Sequence, residues 1–488
     1  MLDRPTLDHA SDVPLYRQLH QHMRQMISAG KLRDGERLPA TRELAGLLGL
    51  NRTTVAAAWK LLEAEGWIRA EVGRGSFVGT TAKTQPEPRH WDQILGRGTA
   101  APPPQEARIS FSTSRPAQDL FPIGEFRRAC REVIDSPEAA GLLQLGSPLG
   151  YPPLRRHLLD QARRDGTARA SDDILITSGC QQALDLVARL LAPAGTVVAT
   201  EDPVYAGLRN AFTRAGARLA GVPFGPDGFD PDALGRLIAN EQPRLTLVTP
   251  NFQNPTGLTM PEEARRAVLE STGRVGSVLV ESDIYTMLRY KGQDVPAIKR
   301  LDPSGDTILI GSYSKLAFPG LRVGWVIAPR EVIARLAESK QWADLHTDQL
   351  SQAVLLRFVE NGFLEEHRRR VVRAGSERLT AALAACRQHL PRNATYTRPE
   401  GGMNLWVRLP EPLDAGELAP RAVREGVSYM PGKHFAVGPP ESGALRLSFA
   451  GLKPAEIREG IAILGRIFTK EIERVGAESR WDSSPALV

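Results

Sequence analysis

One lysine in the sequence has neighbours suited to an aldehyde cofactor that carries a phosphate. Ser312-Tyr313-Ser314-Lys315 follows an apolar run, and Arg322 comes soon after. A lysine amine can form a Schiff base with an aldehyde when burial and nearby positive charge lower its pKa. The hydroxyls of Ser312 and Ser314 and the Arg322 guanidinium suit a phosphate, because arginine forks onto phosphate oxygens. A lone lysine after a strand is usually solvated, so the prediction depends on the surrounding motif.

Polar side chains also follow two other apolar runs. Asp283 and Tyr285 come just after residues 278–280, and Asn254 follows residues 245–248 in an Asn-Pro-Thr-Gly segment. A carboxylate buried at the end of a strand needs a partner. A protonated pyridine nitrogen is a suitable one, and Asn254 could donate to a ring oxygen. Taken alone, Asp283 is more often a helix cap and Asn-Pro-Thr-Gly is more often a turn.

Three further segments complete the candidate site. Ser178-Gly179-Cys180 joins a strand to a helix, where free N–H groups bind phosphate and a glycine allows close approach. Cys180 is expected to fill space there rather than to act as a nucleophile. Tyr205 follows another strand and could stack on a flat ring or belong to the core. Arg446 lies in a strand-like run and could bind a ligand carboxylate or form a surface ion pair.

The elements that must position these residues belong to an α/β fold. From about residue 108 onward, short apolar runs alternate with helical patterns, which is typical of a mostly parallel sheet covered on both faces. After about residue 329 the pattern changes to long helices and a few strands. We therefore expect a body at 108–488 with a large lobe and a smaller α+β lobe, the latter mainly at 330–475.

The segment 12–79 predicts a winged helix-turn-helix. Apolar residues recur at helical spacing in three stretches, the second of which Thr41 can cap and Gly49 can end. A two-stranded ribbon with a Gly73-Arg74-Gly75 turn follows the third helix. In a helix-turn-helix the N-terminal residues of the recognition helix read the major groove. The residues predicted to contact DNA are therefore Asn51, Arg52, Thr53, Thr54 and Arg74. The alternative interpretation of this segment is a small helical bundle used for dimerisation.

Composition supports two domains joined by a linker. The 488 residues carry a net charge of +6, and the stretch 11–80 holds ten Lys or Arg against seven Asp or Glu, half of that excess. Proline-rich residues 80–107 predict a semi-rigid linker. Three scattered cysteines exclude a disulfide framework or a zinc site, and no metal is expected. No apolar run suits a membrane span or signal peptide, so we expect no membrane contact and a cytoplasmic location.

Residues 12–79 resemble the GntR-type DNA-binding domain. The motifs that carry the resemblance are Pro14-Leu15-Tyr16-Arg17-Gln18-Leu19, Gly35-Glu36-Arg37-Leu38-Pro39-Ala40-Thr41-Arg42-Glu43-Leu44-Ala45, Leu50-Asn51-Arg52-Thr53-Thr54-Val55 and Gly73-Arg74-Gly75-Ser76-Phe77-Val78. The resemblance implies that Arg42 and Arg52 contact double-stranded DNA, and that Thr53, Thr54 and Arg74 assist.

Residues 108–475 resemble the fold-type I pyridoxal-phosphate enzymes of the aspartate aminotransferase superfamily, most specifically in Ser-x-Ser-Lys and the Arg-x-Gly that follows it. The resemblance implies that Lys315 forms the Schiff base, that Asp283 pairs with the pyridine nitrogen and that Arg446 binds the ligand carboxylate. It assigns the ring oxygen to Asn254 and Tyr285, ring stacking to Tyr205, and the phosphate to Ser178, Gly179, Cys180, Ser312, Ser314 and Arg322. Leu145 departs from the family, which usually has a tyrosine there that reaches the phosphate of the neighbouring subunit.

The combination of a GntR-type head, a proline-rich linker and an aminotransferase-like body is similar to the MocR-like regulators. This similarity implies a transcription factor that senses pyridoxal phosphate or a small amino compound, and a homodimer, with swapped heads as one arrangement, that binds paired operator half-sites. A working aminotransferase with a DNA-binding head is the alternative. A scaffold without cofactor is a third hypothesis, and it leaves Lys315, Asp283 and Arg322 as coincidences.

Overall fold

The chain divides into two compact units, Met1–Ala101 and Pro102–Val488. The computed structural model describes residues 7–8, 11, 13–71, 73–79, 107–225 and 228–482. Apart from Ala107, the predicted linker at 80–107 lies outside the described residues. Within the described residues, no helix is both long enough and apolar enough to cross a membrane.

The N-terminal unit is a winged helix-turn-helix, as the sequence predicted. Its elements are α1 (Leu15–Ser28), α2 (Thr41–Leu48), α3 (Arg52–Ala64), β1 (Ile68–Glu71) and β2 (Gly75–Val78). The two strands pair antiparallel, with Ile68 opposite Val78. Gly49 ends α2 in the left-handed conformation at φ 67°, where a side chain is strained. Leu19, Val55 and Leu62 are buried in the core that holds the helices together.

The helix caps of this unit differ from the prediction at one point. The cap position of α2 belongs to Ala40, so Thr41 is the first helical residue, and no side chain caps this helix. The cap predicted for Thr41 is therefore wrong. The next helix, α3, does have a side-chain cap, because Asn51 Oδ1 accepts the Thr53 N–H at 3.1 Å. A side-chain oxygen at that place satisfies an N–H group that has no partner within the helix.

The large lobe of the second unit is built on a mostly parallel sheet. Its described strands are β4 (Asp172–Thr177), β5 (Val197–Asp202), β6 (Arg218–Gly225), β7 (Gly228–Phe229), β8 (Leu245–Val248), β9 (Val278–Asp283), β10 (Ile308–Gly311) and β11 (Gly324–Pro329). They lie in the order β4-β11-β10-β9-β8-β5-β6-β7, in which only β7 and β11 pair antiparallel with their neighbours. Five of these strands were predicted from the sequence, whereas β6, β7 and β11 were not.

Helices cover both faces of this sheet. They are α4 (Ile123–Ile134), α5 (Ala139–Leu142), α6 (Pro152–Arg164), α7 (Cys180–Leu191), α8 (Ala206–Arg214), α9 (Pro231–Glu241), α10 (Glu262–Val275), α11 (Ile298–Leu301), α12 (Arg330–Asp344) and α13 (Gln349–Glu360). Ile310 packs with α7 and α12, whereas its neighbour Leu309 packs with α4, α6 and α13. Burial on both faces explains why the strands are continuous apolar runs.

The small lobe combines the C-terminal elements of the second unit with the first strand of that unit. It contains α14 (Phe363–His389), β12 (Thr395–Tyr396), β13 (Asn404–Arg408), α15 (Ala415–Arg424), β14 (Val427–Ser428), β15 (Met430–Pro431), β16 (Ala444–Ser448) and α16 (Pro454–Asp482). The short strand β3 (Ile109–Ser110) pairs parallel with β14. Because α12 and α13 pack on the large sheet, the small-lobe core begins with α14 rather than at the predicted residue 330.

Candidate functional site

The turn between β4 and α7 forms one end of the candidate site. Gly179 occupies the position before α7 with φ 80°. A Cβ there would collide with the Arg322 guanidinium. Arg322 is exposed, its Nη2 donates to the Ser178 carbonyl at 3.2 Å, and no carboxylate of a described residue pairs with it. A helix N-terminus, a close glycine and an arginine without a carboxylate partner among the described residues are together suited to bind an anion, and we call this the candidate anion site.

Two serines extend this anion site from the end of β10. The Ser312 hydroxyl donates to the Val323 carbonyl at 2.8 Å, and its oxygen lies 2.6 Å from Ser314 Oγ. The Ser314 N–H also donates to Ser312 Oγ at 3.0 Å. Because Ser312 has already given its proton to Val323, the Ser314 hydroxyl is the donor of the pair. That proton can turn to a phosphate oxygen when one is bound.

Cys180 fills space beside the anion site. Its Sγ lies 3.6 Å from the Gly311 carbonyl oxygen, and burial raises the pKa of the thiol to about 11. A thiol with that pKa stays protonated near neutral pH and is a poor nucleophile. This agrees with the expected space-filling role, and the backbone N–H at this first position of α7 still serves the anion site.

The Lys315 amine lies at the centre of the candidate residues. Its Nζ donates to the Ser114 carbonyl at 3.1 Å and lies 5.9 Å from the centre of the Tyr285 ring. Burial lowers the pKa of this amine, and the charges of Arg446 and Arg322 lower it further. A larger fraction of neutral amine at physiological pH makes the lysine a better nucleophile toward an aldehyde.

Asn254 connects Tyr285 with Arg446. Its Nδ2 donates to the Tyr285 hydroxyl at 3.4 Å, and its Oδ1 accepts from Arg446 Nη1 at 3.0 Å. Burial raises the pKa of Tyr285 to about 12, so its hydroxyl stays protonated. Asn254 therefore belongs to a side-chain network and does more than form the turn that its Asn-Pro-Thr-Gly segment predicts.

Arg446 is buried and lacks an acidic partner among the described residues. It projects from β16 with 5% of its surface exposed, donates to the Ser112 carbonyl and lies 4.9 Å from the centre of the Phe435 ring. Burial lowers its pKa to about 10. The surface ion pair considered from the sequence is wrong. A buried guanidinium without a carboxylate is suited to bind an anionic ligand group.

The Asp283 carboxylate ends β9 beside the serine segment. In the sheet register Asp283 lies opposite Gly311, which precedes Ser312. Its Oδ1 accepts from Asn251 Nδ2 at 3.1 Å and from the Thr286 hydroxyl. It caps no helix, so the helix-cap alternative is wrong. Asn251 and Thr286 come from separate loops, and no sequence pattern indicated that they meet Asp283.

Tyr205 stands at the edge of the site rather than in the core. It precedes α8, is 40% exposed, and its hydroxyl lies 3.5 Å from Gln181 Oε1. It also lies close enough to Lys315 to influence the pKa of that amine, as Cys180 does. Exposure of the ring favours stacking on a flat ligand over the core alternative.

An ion pair between buried Lys340 and half-buried Asp344 lies beside the candidate anion site, and it was not predicted from the sequence. Asp344 accepts from the Ser178 hydroxyl at 3.3 Å and from Gln182 Nε2 at 2.7 Å, and Lys340 Nζ lies 2.7 Å from its other oxygen. Lys340 and Asp344 are one helical turn apart on α12, which is a common pattern on solvated helices. Only the fold shows that this pair holds the turn before α7.

The predicted DNA contacts lie on the exposed surface of the winged helix-turn-helix. Arg42 is exposed on α2, and Arg52 and Thr53 are exposed at the start of α3. Neither arginine pairs with a carboxylate among the described residues. The other three predicted contacts are less free to reach DNA. The side-chain oxygen of Asn51 caps α3, and Thr54 on the same helix is half-buried. Arg74 at the wing tip pairs with Glu71 at 3.0 Å.

Comparison with known proteins agrees with both units. Residues 110–464 match the family model of class I and II aminotransferases, and residues 15–78 match that of the gntR family of bacterial regulatory proteins. A probable rhizopine catabolism regulatory protein MocR from Rhizobium meliloti is 33% identical over 476 residues, which covers 95% of each chain. A 2-aminoadipate transaminase from Thermus thermophilus is 35% identical over 78% of this chain and 98% of its own length.

Solved aminotransferase structures share the fold of the body. A multiple substrate aminotransferase from Thermococcus profundus has a TM-score of 0.74 and 31% identity, covering 79% of this chain and all of its own. LysN from Thermus thermophilus, solved with N-(5'-phosphopyridoxyl)-L-leucine, has a TM-score of 0.70 and 36% identity over 75% of this chain and 93% of its own. The chain therefore belongs to the pyridoxal-phosphate-binding family of class I and II aminotransferases, in the MocR-like group of regulators that carry a GntR-type DNA-binding domain before it.

Proposed function

We propose that this regulator senses pyridoxal phosphate, or a small amino compound that reacts with it, and changes its binding to operator DNA in response. The observation that carries the proposal is that one chain combines an exposed arginine, Arg52, at the start of the recognition helix with a half-buried lysine, Lys315, beside a candidate anion site. An effector can act only if it binds the two DNA-binding states of the protein with different affinity.

The residues of the site fit pyridoxal phosphate. Arg322 has no carboxylate partner among the described residues, Gly179 lets its guanidinium approach the start of α7, and Ser314 has a proton to donate. We propose that Asp283 pairs with the pyridine nitrogen and that Asn254 donates to the ring oxygen. When bound, pyridoxal phosphate supplies an aldehyde carbon that reacts with amines and a ring that accepts electrons.

An incoming amino compound would compete with the Lys315 amine for that aldehyde. The lowered pKa of Lys315 keeps the amine neutral in part, and once released it can accept or return a proton at Nζ. The ligand's carboxylate would take hydrogen bonds from Arg446 that Asn254 and Ser112 now receive. Ligand binding would therefore exchange contacts at Arg446.

This exchange links the site to the two lobes of the body. Arg446 belongs to the small lobe, and Asn254 belongs to a loop of the large lobe. A second contact between the lobes lies nearby, where both oxygens of Asp202 accept the N–H groups of Val437 and Gly438 at 2.9 and 3.0 Å. We propose that the lobes move relative to each other when a ligand replaces the contact between Arg446 and Asn254.

We also propose that the protein is a homodimer whose subunits meet at an exposed apolar patch. Leu143, Leu145, Trp342 and Leu345 expose between 54% and 83% of their surface. Gln349 Nε2 donates to the Gln144 carbonyl at 3.0 Å. This hydrogen bond joins the segment that carries Leu143 and Leu145 to the segment that follows Trp342 and Leu345. Contiguous exposed apolar side chains mark interaction surfaces. A dimer with exchanged or unexchanged heads would present two readers to paired half-sites, and we place it in the cytoplasm.

A second candidate function is transamination by the same site. The completeness of the set formed by Lys315, Asp283 and Arg446 favours it, as does the relative named 2-aminoadipate transaminase that aligns with 78% of this chain. Transamination requires that Lys315 both leave and return. Sensing requires only that an amine take its place.

The test compares cofactor, DNA and turnover in one preparation. Purified protein should show a visible absorption band from bound pyridoxal phosphate, and Lys315→Ala should remove it, whereas Lys453→Ala, an exposed lysine on the same body, should keep it. An amino compound that bleaches or shifts the band should change the affinity for the upstream DNA of its own gene at the same concentration. Absence of the band overturns the cofactor proposal. Rapid conversion of an amino acid and a keto acid with unchanged DNA affinity favours the second function.

A further inference from the structure

A fully buried arginine lies behind the proposed cofactor aspartate. Arg265 on α10 exposes none of its surface. Its Nε donates to the Met260 carbonyl at 2.9 Å, its Nη1 to the Pro296 carbonyl at 2.9 Å, and its Nη2 to the Pro250 carbonyl at 3.1 Å. No carboxylate of a described residue lies within ion-pair distance. A buried charge that depends on neutral acceptors is costly, so a role beyond packing needs to be considered.

The same guanidinium determines the orientation of Asn251. Arg265 Nη2 donates to Asn251 Oδ1 at 2.7 Å. An arginine only donates, so the amide oxygen must face it and the amide nitrogen must face the other way. That nitrogen donates to Asp283 Oδ1 at 3.1 Å and to the Thr286 hydroxyl at 2.6 Å. The Thr286 hydroxyl therefore donates its hydrogen bond to Asp283 Oδ1.

The arrangement gives Asp283 two donors on one oxygen and leaves the other oxygen available. Among the described residues, no hydrogen bond reaches Asp283 Oδ2. Two donors on Oδ1, one from Asn251 and one from Thr286, fix the rotation of the carboxyl group.

We infer that Arg265, Asn251 and Thr286 are positioning residues that hold the Asp283 carboxylate in one orientation, with Oδ2 left available for the pyridine nitrogen of the cofactor. The inference rests on the proposed role of Asp283. Its chemical consequence is that the ring nitrogen remains protonated, which is what makes the ring an electron acceptor.

The decisive variant is Thr286→Val, which removes one donor and keeps the shape of the side chain. Thr286 is exposed in a short turn, so this variant should fold. Its matched control is Thr272→Val, a buried threonine on α10 whose hydroxyl bonds only within its own helix. Affinity for pyridoxal phosphate, measured by titration of the apoprotein, should fall roughly tenfold in Thr286→Val, because a hydrogen bond to a charged group is lost, and should not change in Thr272→Val.

A second readout separates positioning from packing. With cofactor labelled with nitrogen-15 in the ring, the pyridine nitrogen should lose its proton at a lower pH in Thr286→Val than in the unaltered protein. Asn251→Asp keeps the bond to Arg265 but replaces the donor with a second carboxylate facing Asp283. It should weaken cofactor binding more than Thr286→Val does, although a purely structural role predicts that it is tolerated.

The outcomes distinguish this inference from the proposal on which it rests. Folded Thr286→Val and Asn251→Asp proteins with unaltered cofactor affinity and unaltered ring protonation overturn the positioning role and leave Asp283 in place. Full cofactor affinity and ring protonation in Asp283→Asn overturn the role of Asp283 itself. If Arg265→Met fails to fold, Thr286→Val and Asn251→Asp still decide the question.

Discussion

The Arg322 guanidinium lies against Gly179, in the space that a Cβ at that position would occupy. Gly179 also has φ 80°, and its neighbour Ser178 accepts from Arg322 Nη2 at 3.2 Å. The two residues are far apart in the sequence, yet each depends on the other. The arginine reaches the N-terminus of α7 only because position 179 has no side chain.

Gly179→Ala should therefore weaken cofactor binding more than it destabilises the fold. The methyl group would displace the Arg322 guanidinium from the phosphate site, and we expect an affinity loss of roughly tenfold or more, since a hydrogen bond to a charged group is lost. Gly195→Ala is the matched control, because Gly195 has φ 83° and nothing within 4 Å of its would-be Cβ. Both positions have positive φ, and at Gly179, with φ 80° and ψ 170°, a side chain strains the backbone by about 1–3 kcal/mol. Equal cofactor affinities in the two variants, measured by titration, would contradict the steric role of Gly179.

Replacement of Leu145 by tyrosine should strengthen cofactor binding. Leu145 is 78% exposed. The resemblance to the aminotransferase superfamily implies a tyrosine at this position that reaches the neighbouring subunit's phosphate. A restored phenol adds a donor to that phosphate, so the dissociation constant of pyridoxal phosphate should fall in Leu145→Tyr. Leu143→Tyr is the control, because Leu143 is 74% exposed two positions earlier and has no such role. An equal gain in both variants would indicate a nonspecific effect of the added ring.

Replacement of Arg52 by alanine should reduce operator binding without unfolding the head. The side chain is exposed and begins α3. Loss of an arginine that reads a base costs about 1–3 kcal/mol of binding, whereas loss of a phosphate contact mainly lowers the salt dependence. Binding should be measured by fluorescence anisotropy at several salt concentrations, with Arg17→Ala on α1 as the charge-matched control. Equal losses in the two variants would show that the recognition helix is misplaced.

Replacement of Asn51 by alanine should act differently from Arg52→Ala. The Asn51 side chain accepts the Thr53 N–H and thereby caps α3. Its removal should lower the free energy of unfolding of the head by about 1 kcal/mol. Thermal unfolding of the Asn51→Ala protein, compared with Arg52→Ala, would reveal this difference. A stability equal to that of Arg52→Ala would contradict the capping role.

The free energy of unfolding should decrease as the pH rises above the acidic range, because the carboxyl group of Glu201 is buried. Burial raises the pKa of Glu201 to about 8, although its oxygens accept from the Thr249 N–H and from Gln253. The folded state holds a proton that an unfolded chain releases above about pH 4.3, so the free energy of unfolding falls between these pH values. Glu281, with a pKa raised to about 7 by burial, acts in the same direction.

The check is a series of melting temperatures between about pH 5 and pH 9, which spans the titration of the folded group. Glu201→Gln should flatten part of the decline, since an amide does not titrate. Glu377→Gln, an exposed residue on α14, should retain the full decline. A Glu201→Gln protein with an unaltered slope would show that this carboxyl is already ionised in the folded protein.

Much of the fold could be predicted from the sequence because its signals are local. Buried parallel strands appear as short apolar runs, and five of the eight described strands of the large sheet were identified in this way. β11 was missed since it follows directly from the Arg322 motif and pairs antiparallel between β4 and β10. The cap of α2 was assigned to Thr41 because threonine favours caps, but the backbone places Ala40 there.

The residue types and their order by themselves determined the chemistry of this protein: a lysine after Ser-x-Ser, an aspartate after a strand, an arginine after the lysine, and a basic helical head. Tertiary structure alone decided which side chains meet. Asn251 reaches Asp283 from a loop, Arg265 on α10 reaches Asn251, and Asp344 reaches Ser178 from α12. No spacing in the sequence encodes these contacts, because they depend on where β8, β9, α10 and α12 end in space once both faces of the sheet are buried.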